Sequence, residues 1–175
     1  MRAYVRAAIV AAVVAAGMSV AGPSAAVDAG PAAAGPAAVA TVSGARPMIL
    51  PAGIALHESW IPMPDGVRLA ADLWMPADAG ETSRLPVLLE YLPYRKTEGR
   101  GDRFGLYAYF VRRGYIVARV DIRGTGNSEG HLIPYEYSDV EQEDGLAVID
   151  WLAKQPFSSG KVGMFGISWG GFNSI

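Results

Sequence analysis

Gly166-Ile167-Ser168-Trp169-Gly170 forms a G-x-S-x-G pentapeptide close to the end of the 175-residue sequence. The pattern alone says little in a chain rich in glycine. Its neighbours give it chemical meaning. An apolar run, Lys161 to Phe165, precedes it, and small residues able to open a helix follow it. Such a strand–turn–helix holds a serine at a strained, exposed turn, from which its hydroxyl can attack a carbonyl carbon. Side chains at Gly166 and Gly170 would collide with the neighbouring strand and helix. The backbone N–H of Trp169, aligned with the helix dipole, would point at a developing oxyanion. The alternative is an ordinary glycine-rich turn between strand and helix.

A nucleophilic serine needs a base to take its proton and an acid to orient that base. Trp169 to Ile175 contain neither a carboxylate nor a histidine. Of the two histidines, His57 falls in the first predicted strand, and His131 follows a glycine-rich loop at a strand end. Both read as structural or loop residues rather than as the base. Asp121, Arg123 and Glu129 look reactive, but a guanidinium bound to a carboxylate and to carbonyls more simply braces a glycine-rich loop. Asn127 and Ser128 read as turn formers.

The same loop invites a nucleotide reading, which fails. Gly124-x-Gly126 opens a dinucleotide fingerprint, but Glu129 stands where its third glycine belongs and would repel a pyrophosphate. A net charge of −2 and a pI near 5.7 argue against a nucleic-acid binder, which needs a basic face to neutralise phosphates. The absence of cysteine excludes a disulfide scaffold, a thiolate zinc site and a cysteine nucleophile. No metal or organic cofactor is implied.

The elements that must position Ser168 can be read upstream of it. Pro64-Asp65-Gly66 is a turn signal between Ala55–Met63 and Val67–Met75, giving an antiparallel hairpin. Pro86 to Tyr91 reads as a buried strand, Leu92 to Asp102 as a loop, and Phe104 to Arg113 as a helix stopped by Gly114. Tyr115 to Asp121 is a β-branched strand, and Arg123 to Gly130 a glycine-rich loop. Ser138-x-x-Glu141 is a capping-box signature. It opens a helix to about Lys154, whose apolar stripe comprises Val140, Leu146-Ala147, Ile149 and Trp151-Leu152, with Gly145 as a weak spot. Alternating strands and helices predict an α/β fold with a parallel sheet. The unusual loops all fall at the carboxyl ends of its strands, where such sheets bind ligands.

The first 53 residues differ from the rest. Their only charged residues are Arg2, Arg6, Asp28 and Arg46. Arg2 and Arg6, the apolar run Ala7 to Ala16 and the small residues after it predict a signal peptide over 1–26 and a secreted or periplasmic product. A membrane span wants about 20 strongly apolar residues, more than this run offers. An uncleaved anchor is the alternative. Residues 27–53 repeat Ala-Gly-Pro steps and predict a disordered linker. The folded part is expected over 54–175.

Three sets of residues together carry a resemblance. Pro93-Tyr94-Arg95-Lys96 follows the first parallel strand. Asp121-x-Arg123-Gly124-x-x-x-Ser128-Glu129-Gly130 follows the next. Val162 to Gly171 completes the set. The chain resembles the cocaine esterase and X-Pro dipeptidyl-peptidase family of α/β-hydrolases, which includes β-lactam acylases. The resemblance covers roughly residues 56–175. It implies Ser168 as nucleophile, the Trp169 N–H as one oxyanion donor and the Tyr94 hydroxyl as the other. It implies an α/β-hydrolase fold cut after the nucleophile elbow, with a later Asp and His completing a triad. The chain therefore reads as the N-terminal portion of a longer serine hydrolase, inactive and poorly folded alone. Its substrates would be small esters, amides or X-Pro peptides, its only membrane encounter would be during export, and its oligomeric state is open. The rival expectation is an exported, non-catalytic binding or vestigial half-domain.

Overall fold

The computed structural model describes residues 48–50, 53–80 and 82–175. The expected signal peptide, and the expected linker up to residue 47, lie outside the described residues. The end of that linker segment is a strand: β1 (Met48–Leu50) pairs antiparallel with β2, Met48 opposite Leu56 and Leu50 opposite Ile54. Met48–Leu50 thus belongs to the sheet although composition placed it in the linker, because main-chain pairing does not need large side chains.

Strands β2 (Ile54–Pro62) and β3 (Arg68–Pro76) form the expected hairpin. Its loop closes through Met63 N–H to Val67 O at 2.8 Å and Val67 N–H to Asp65 Oδ1 at 3.1 Å. The order continues with β4 (Leu85–Leu92), α1 (Arg100–Val111), β5 (Ile116–Asp121), α2 (Asp139–Lys154), β6 (Ser158–Met164) and α3 (Trp169–Phe172). Helix α1 begins inside the stretch expected to be a loop. The cause is that Arg100 and Arg103 are held by carboxylates of the sheet, which a reading of local propensity cannot see. Strand β6 likewise begins earlier than expected, at Ser158, opposite Leu85.

The strands form one six-stranded sheet in the order β1-β2-β3-β5-β4-β6. Pairing is antiparallel as far as β3–β5 and parallel for β4–β5 and β4–β6. From β4 the chain crosses to β5 on one side and returns to β6 on the other. The carboxyl end of β4 is therefore a topological switch point, where open α/β sheets place their ligands.

Each face of the sheet has its own core, as the period-2 alternation of strand side chains requires. Trp74, Val117, Ile54 and Leu56 pack with Tyr107, Ala108 and Val111 of α1. Leu73, Leu89, Ala118 and Val120 pack on the other face with Val148 and Leu152 of α2. The apolar stripe expected on α2 needs correction. Val140 and Leu146 are exposed, and the buried positions are Glu141, Asp144, Gly145, Val148 and Leu152. Two core-facing places are carboxylates, so hydropathy alone misplaces part of the face, while Ala147, Ile149, Trp151 and Leu152 pack on the core as expected. Gly145 is no mere weak spot either. A Cβ there would lie 3.3 Å from Cε1 of Tyr91, so the helix needs a small residue to seat on β4.

Candidate active site

The loops at the carboxyl ends of β4 and β6 meet at Ser168, and the loop after β5 joins the first of them through Asn127 and Thr97. The chain leaves β6, Phe165 N–H bonds Leu89 O at 3.0 Å, and Ser168 turns at φ 55°, ψ −124°. A non-glycine residue at such positive φ is strained and persists only where its surroundings over-determine it. The Ser168 carbonyl then accepts from Gly171 N–H at 2.9 Å and Phe172 N–H at 3.0 Å, which starts α3.

The two glycines of the pentapeptide do different work. A Cβ on Gly166 would stand 2.4 Å from the carbonyl carbon of Gly170, a backbone atom that cannot yield. A Cβ on Gly170 would meet the Leu92 side chain at 3.2 Å, which can shift by a few tenths of an ångström. Gly166→Ala is expected to lower stability by about 3 kcal/mol or more and to cost the site its geometry, while Gly170→Ala costs about 1 kcal/mol. Urea midpoints of the two variants, measured on the intact gene product, check the asymmetry.

The Tyr94 hydroxyl lies 3.3 Å from Ser168 Oγ and donates to it. Tyr94 is 49% exposed, so packing alone does not place it. Its loop is fixed from beneath. The guanidinium of Arg119, on β5, donates to the Tyr94 carbonyl at 3.2 Å. Lys96 N–H donates to Asp121 Oδ1 at 2.6 Å. The buried Lys96 ammonium donates to the fully buried Asp72 at 2.7 Å, and Arg100 clamps the same carboxylate through Nε at 2.7 Å and a terminal nitrogen at 2.8 Å. Asp72→Ala would leave the buried Lys96 ammonium only the exposed Glu58 carboxylate, 3.2 Å away, and would remove the clamp on Arg100. It is expected to destabilise the protein by about 3 kcal/mol, read as a fall in thermal midpoint.

Trp169, the first residue of α3, directs its indole N–H at Glu141 Oε1, 2.6 Å away. As the first helical residue it has no intrahelical acceptor for its own backbone N–H. A pocket of about 420 Å³ opens beside Ser168, with Leu92, Tyr94 and Ile167 on its walls and Glu90, Arg103 and Arg119 at its base. Glu90 is fully buried and accepts from the Tyr107 hydroxyl and from Arg103, with Arg119 at 3.7 Å. Burial and this carboxylate push the Tyr107 phenol upward, so it stays a neutral donor.

Asp121, Arg123 and Glu129 are braces, as expected. Asp121 accepts from Lys96 N–H and, at 3.0 Å, from Asn127 N–H. Burial raises its pKa, and the two N–H donors oppose that rise. A Cβ on Gly126, itself at φ 53°, would fall 2.0 Å from Asp121 Oδ2, so the loop after β5 wraps this carboxylate closely. Arg123 joins Asp144 of α2, at 2.7 and 2.8 Å, to Asp65 of the hairpin turn, at 2.6 Å. Ser128 is more than a turn former, because its hydroxyl donates to Asp121 O at 2.6 Å and accepts from Ala70 N–H at 2.8 Å. Glu129 pairs with Arg68.

Neither histidine reaches the serine. His57 sits half-buried on β2, where burial lowers its pKa. His131 is exposed in the loop after β5. Among the described residues no hydrogen bond joins either to Ser168, and no cluster of three or more His, Cys, Asp or Glu could hold a metal ion. The sequence pointed to Ser168, Tyr94, Trp169 and the glycines. It gave no sign of Glu90, Arg119 and Asp72, whose partners lie in other elements.

Comparison with known proteins adds to this geometry. The family model for X-Pro dipeptidyl-peptidase (S15 family) matches residues 65–175. Cocaine esterase from Rhodococcus sp. is 39% identical over 118 residues, which is 62% of this chain and 18% of the esterase. A putative Xaa-Pro dipeptidyl-peptidase from Streptomyces avermitilis is 32% identical over 136 residues, covering 59% of this chain and 20% of the relative. Among solved structures, an α-amino acid ester hydrolase superposes with a TM-score of 0.58 at 32% identity, over 75% of this chain and 24% of that one. The chain therefore spans about a fifth of the length of these curated relatives. The family match starts at Asp65 in the hairpin turn and runs through Tyr94, Ser168 and Trp169. It thus takes in the whole constellation, and the chain belongs to the X-Pro dipeptidyl-peptidase (S15) family of α/β-hydrolases.

Proposed function

We propose that this chain carries the nucleophile and the oxyanion hole of an exported serine hydrolase that cleaves small ester, amide or X-Pro peptide bonds. The observation that carries the reading is the 3.3 Å contact between the Tyr94 hydroxyl and Ser168 Oγ. A donor so close to the attacking oxygen is also within reach of the carbonyl oxygen of a substrate bonded to it. In the proposed reaction Ser168 Oγ attacks the carbonyl carbon. The Tyr94 hydroxyl and the Trp169 N–H receive the negative charge, and a phenol can do so without carrying charge itself. A histidine, oriented by a carboxylate, takes the serine proton and returns it to the leaving group. Water then releases the acyl group by the reverse route.

The histidine and carboxylate come, on this proposal, from sequence outside these 175 residues, because neither His57 nor His131 meets Ser168. Residues 1–175 alone are accordingly expected to turn over no ester. Export follows from the composition of residues 1–26, which support a signal peptide.

A fluorophosphonate probe applied to the intact gene product tests the proposal. The expected result is one label per chain, mapped by peptide mass to Ser168. A protein that stays unlabelled would reject hydrolysis in favour of a non-catalytic binding module. Comparing a short-chain phenyl ester with an Ala-Pro anilide then separates esterase from dipeptidyl-peptidase.

A further inference from the structure

Glu141 is almost wholly buried, yet it does not serve only as a helix cap. Its backbone N–H is capped by Ser138 Oγ at 3.4 Å, as the S-x-x-E signature requires. In a capping box the glutamate side chain would return to the N-cap residue's own N–H. Here it does not. Oε2 accepts from Tyr137 N–H at 2.9 Å. Oε1 accepts from the Trp169 indole N–H at 2.6 Å and from Asn173 Nδ2 at 2.9 Å. Asn173 Nδ2 also reaches the Tyr91 carbonyl, at 3.2 Å, near the end of β4.

One carboxylate thus holds two residues of the segment that follows Ser168, Trp169 and Asn173. Its own position is firm, because it lies in the first turn of the sixteen-residue α2, whose N-terminal field favours a negative charge. Tyr137, at φ 57°, completes the clamp by setting its ring 5.7 Å from Trp169 and 5.8 Å from Phe172. The indole contact with Glu141 adds a fixed point on the residue whose backbone N–H is the oxyanion donor of the proposed reaction.

We propose that Glu141 is a positioning residue for the oxyanion hole, acting through the Trp169 indole. The proposal rests on the assignment of Ser168 as nucleophile. It assigns the capping-box glutamate a second role, that of linking α2 to the geometry of the catalytic turn.

The test measures kcat and KM for a short-chain phenyl ester in the intact gene product. The variants are Glu141→Gln, Trp169→Phe, their combination, and Ser168→Ala as the reference. Trp169→Phe leaves Glu141 in place and removes only the indole donor, so it carries the test even if Glu141→Gln fails to fold. Each single variant is expected to lower kcat roughly 10- to 100-fold with KM within about twofold, as for a displaced transition-state donor. The double variant is expected to be no worse than the poorer single, because both act on the same link, which Glu141→Gln weakens by removing the charge of the acceptor and Trp169→Phe removes. An inactive Ser168→Ala beside an unchanged kcat in Trp169→Phe, or losses that multiply in the double variant, overturns the positioning role alone. An active Ser168→Ala overturns the nucleophile assignment and this role with it.

Discussion

Ser168→Ala in the intact gene product is expected to reduce kcat by about 10⁴- to 10⁶-fold, with substrate binding kept. The size follows from what the hydroxyl does. On the proposed mechanism no covalent intermediate forms without Oγ, and only binding and oxyanion stabilisation remain to assist attack by water. The fold should tolerate the change. Alanine at φ 55° carries the same Cβ as serine, so backbone strain is unaltered, and the hydroxyl makes no cap bond to α3. Its side-chain partner among the described residues is the half-exposed Tyr94, so its loss leaves no buried polar group stranded. Unfolding curves that coincide with the parent, beside a lost turnover, would separate chemistry from stability. Turnover near that of the parent would move the nucleophile elsewhere.

How much of this was legible in the sequence depends on how local each signal was. The hairpin turn, the two crossovers and the serine turn are written in contiguous residues, and each appears where its residues stand. Tyr94 beside Ser168 was legible only through the resemblance of the Pro93-Tyr94-Arg95-Lys96 segment. No periodicity tells a half-exposed loop tyrosine where to point. The α2 face was misread for the opposite reason. Glu141 and Asp144 occupy buried positions and hide the part of the stripe formed by Gly145 and Val148, whereas Ala147, Ile149, Trp151 and Leu152 pack as expected. Those same two carboxylates tie α2 to Trp169 and to Arg123. The reading of hydropathy therefore failed where core positions had been given over to supporting the site. The Asp72–Lys96–Arg100 and Glu90–Arg103–Arg119 clusters were hidden because they join strands to a loop and a helix far apart in sequence.

These clusters bear on the second large effect, Tyr94→Phe. It is expected to lower kcat by roughly 10²- to 10³-fold, with KM for a phenyl ester little changed. The substitution removes one oxygen. The ring remains, and so does the bond from Arg119 to the Tyr94 carbonyl, because that bond involves the main chain. The loop should therefore hold its shape, pinned by Lys96 to Asp72 and Asp121. What is lost is a donor that matters most when the carbonyl oxygen becomes an anion, and an interaction stronger in the transition state than in the ground state appears in kcat. The contrast with Arg119 sharpens the argument. Arg119→Ala keeps the phenol but releases the carbonyl that orients it, and it leaves Glu90 with one cation fewer. It should lower stability and kcat together, whereas Tyr94→Phe should lower kcat alone. If Tyr94→Phe instead leaves kcat within about twofold of the parent, the second oxyanion donor is another group. The 3.3 Å contact with Ser168 would then be a feature of the free enzyme only.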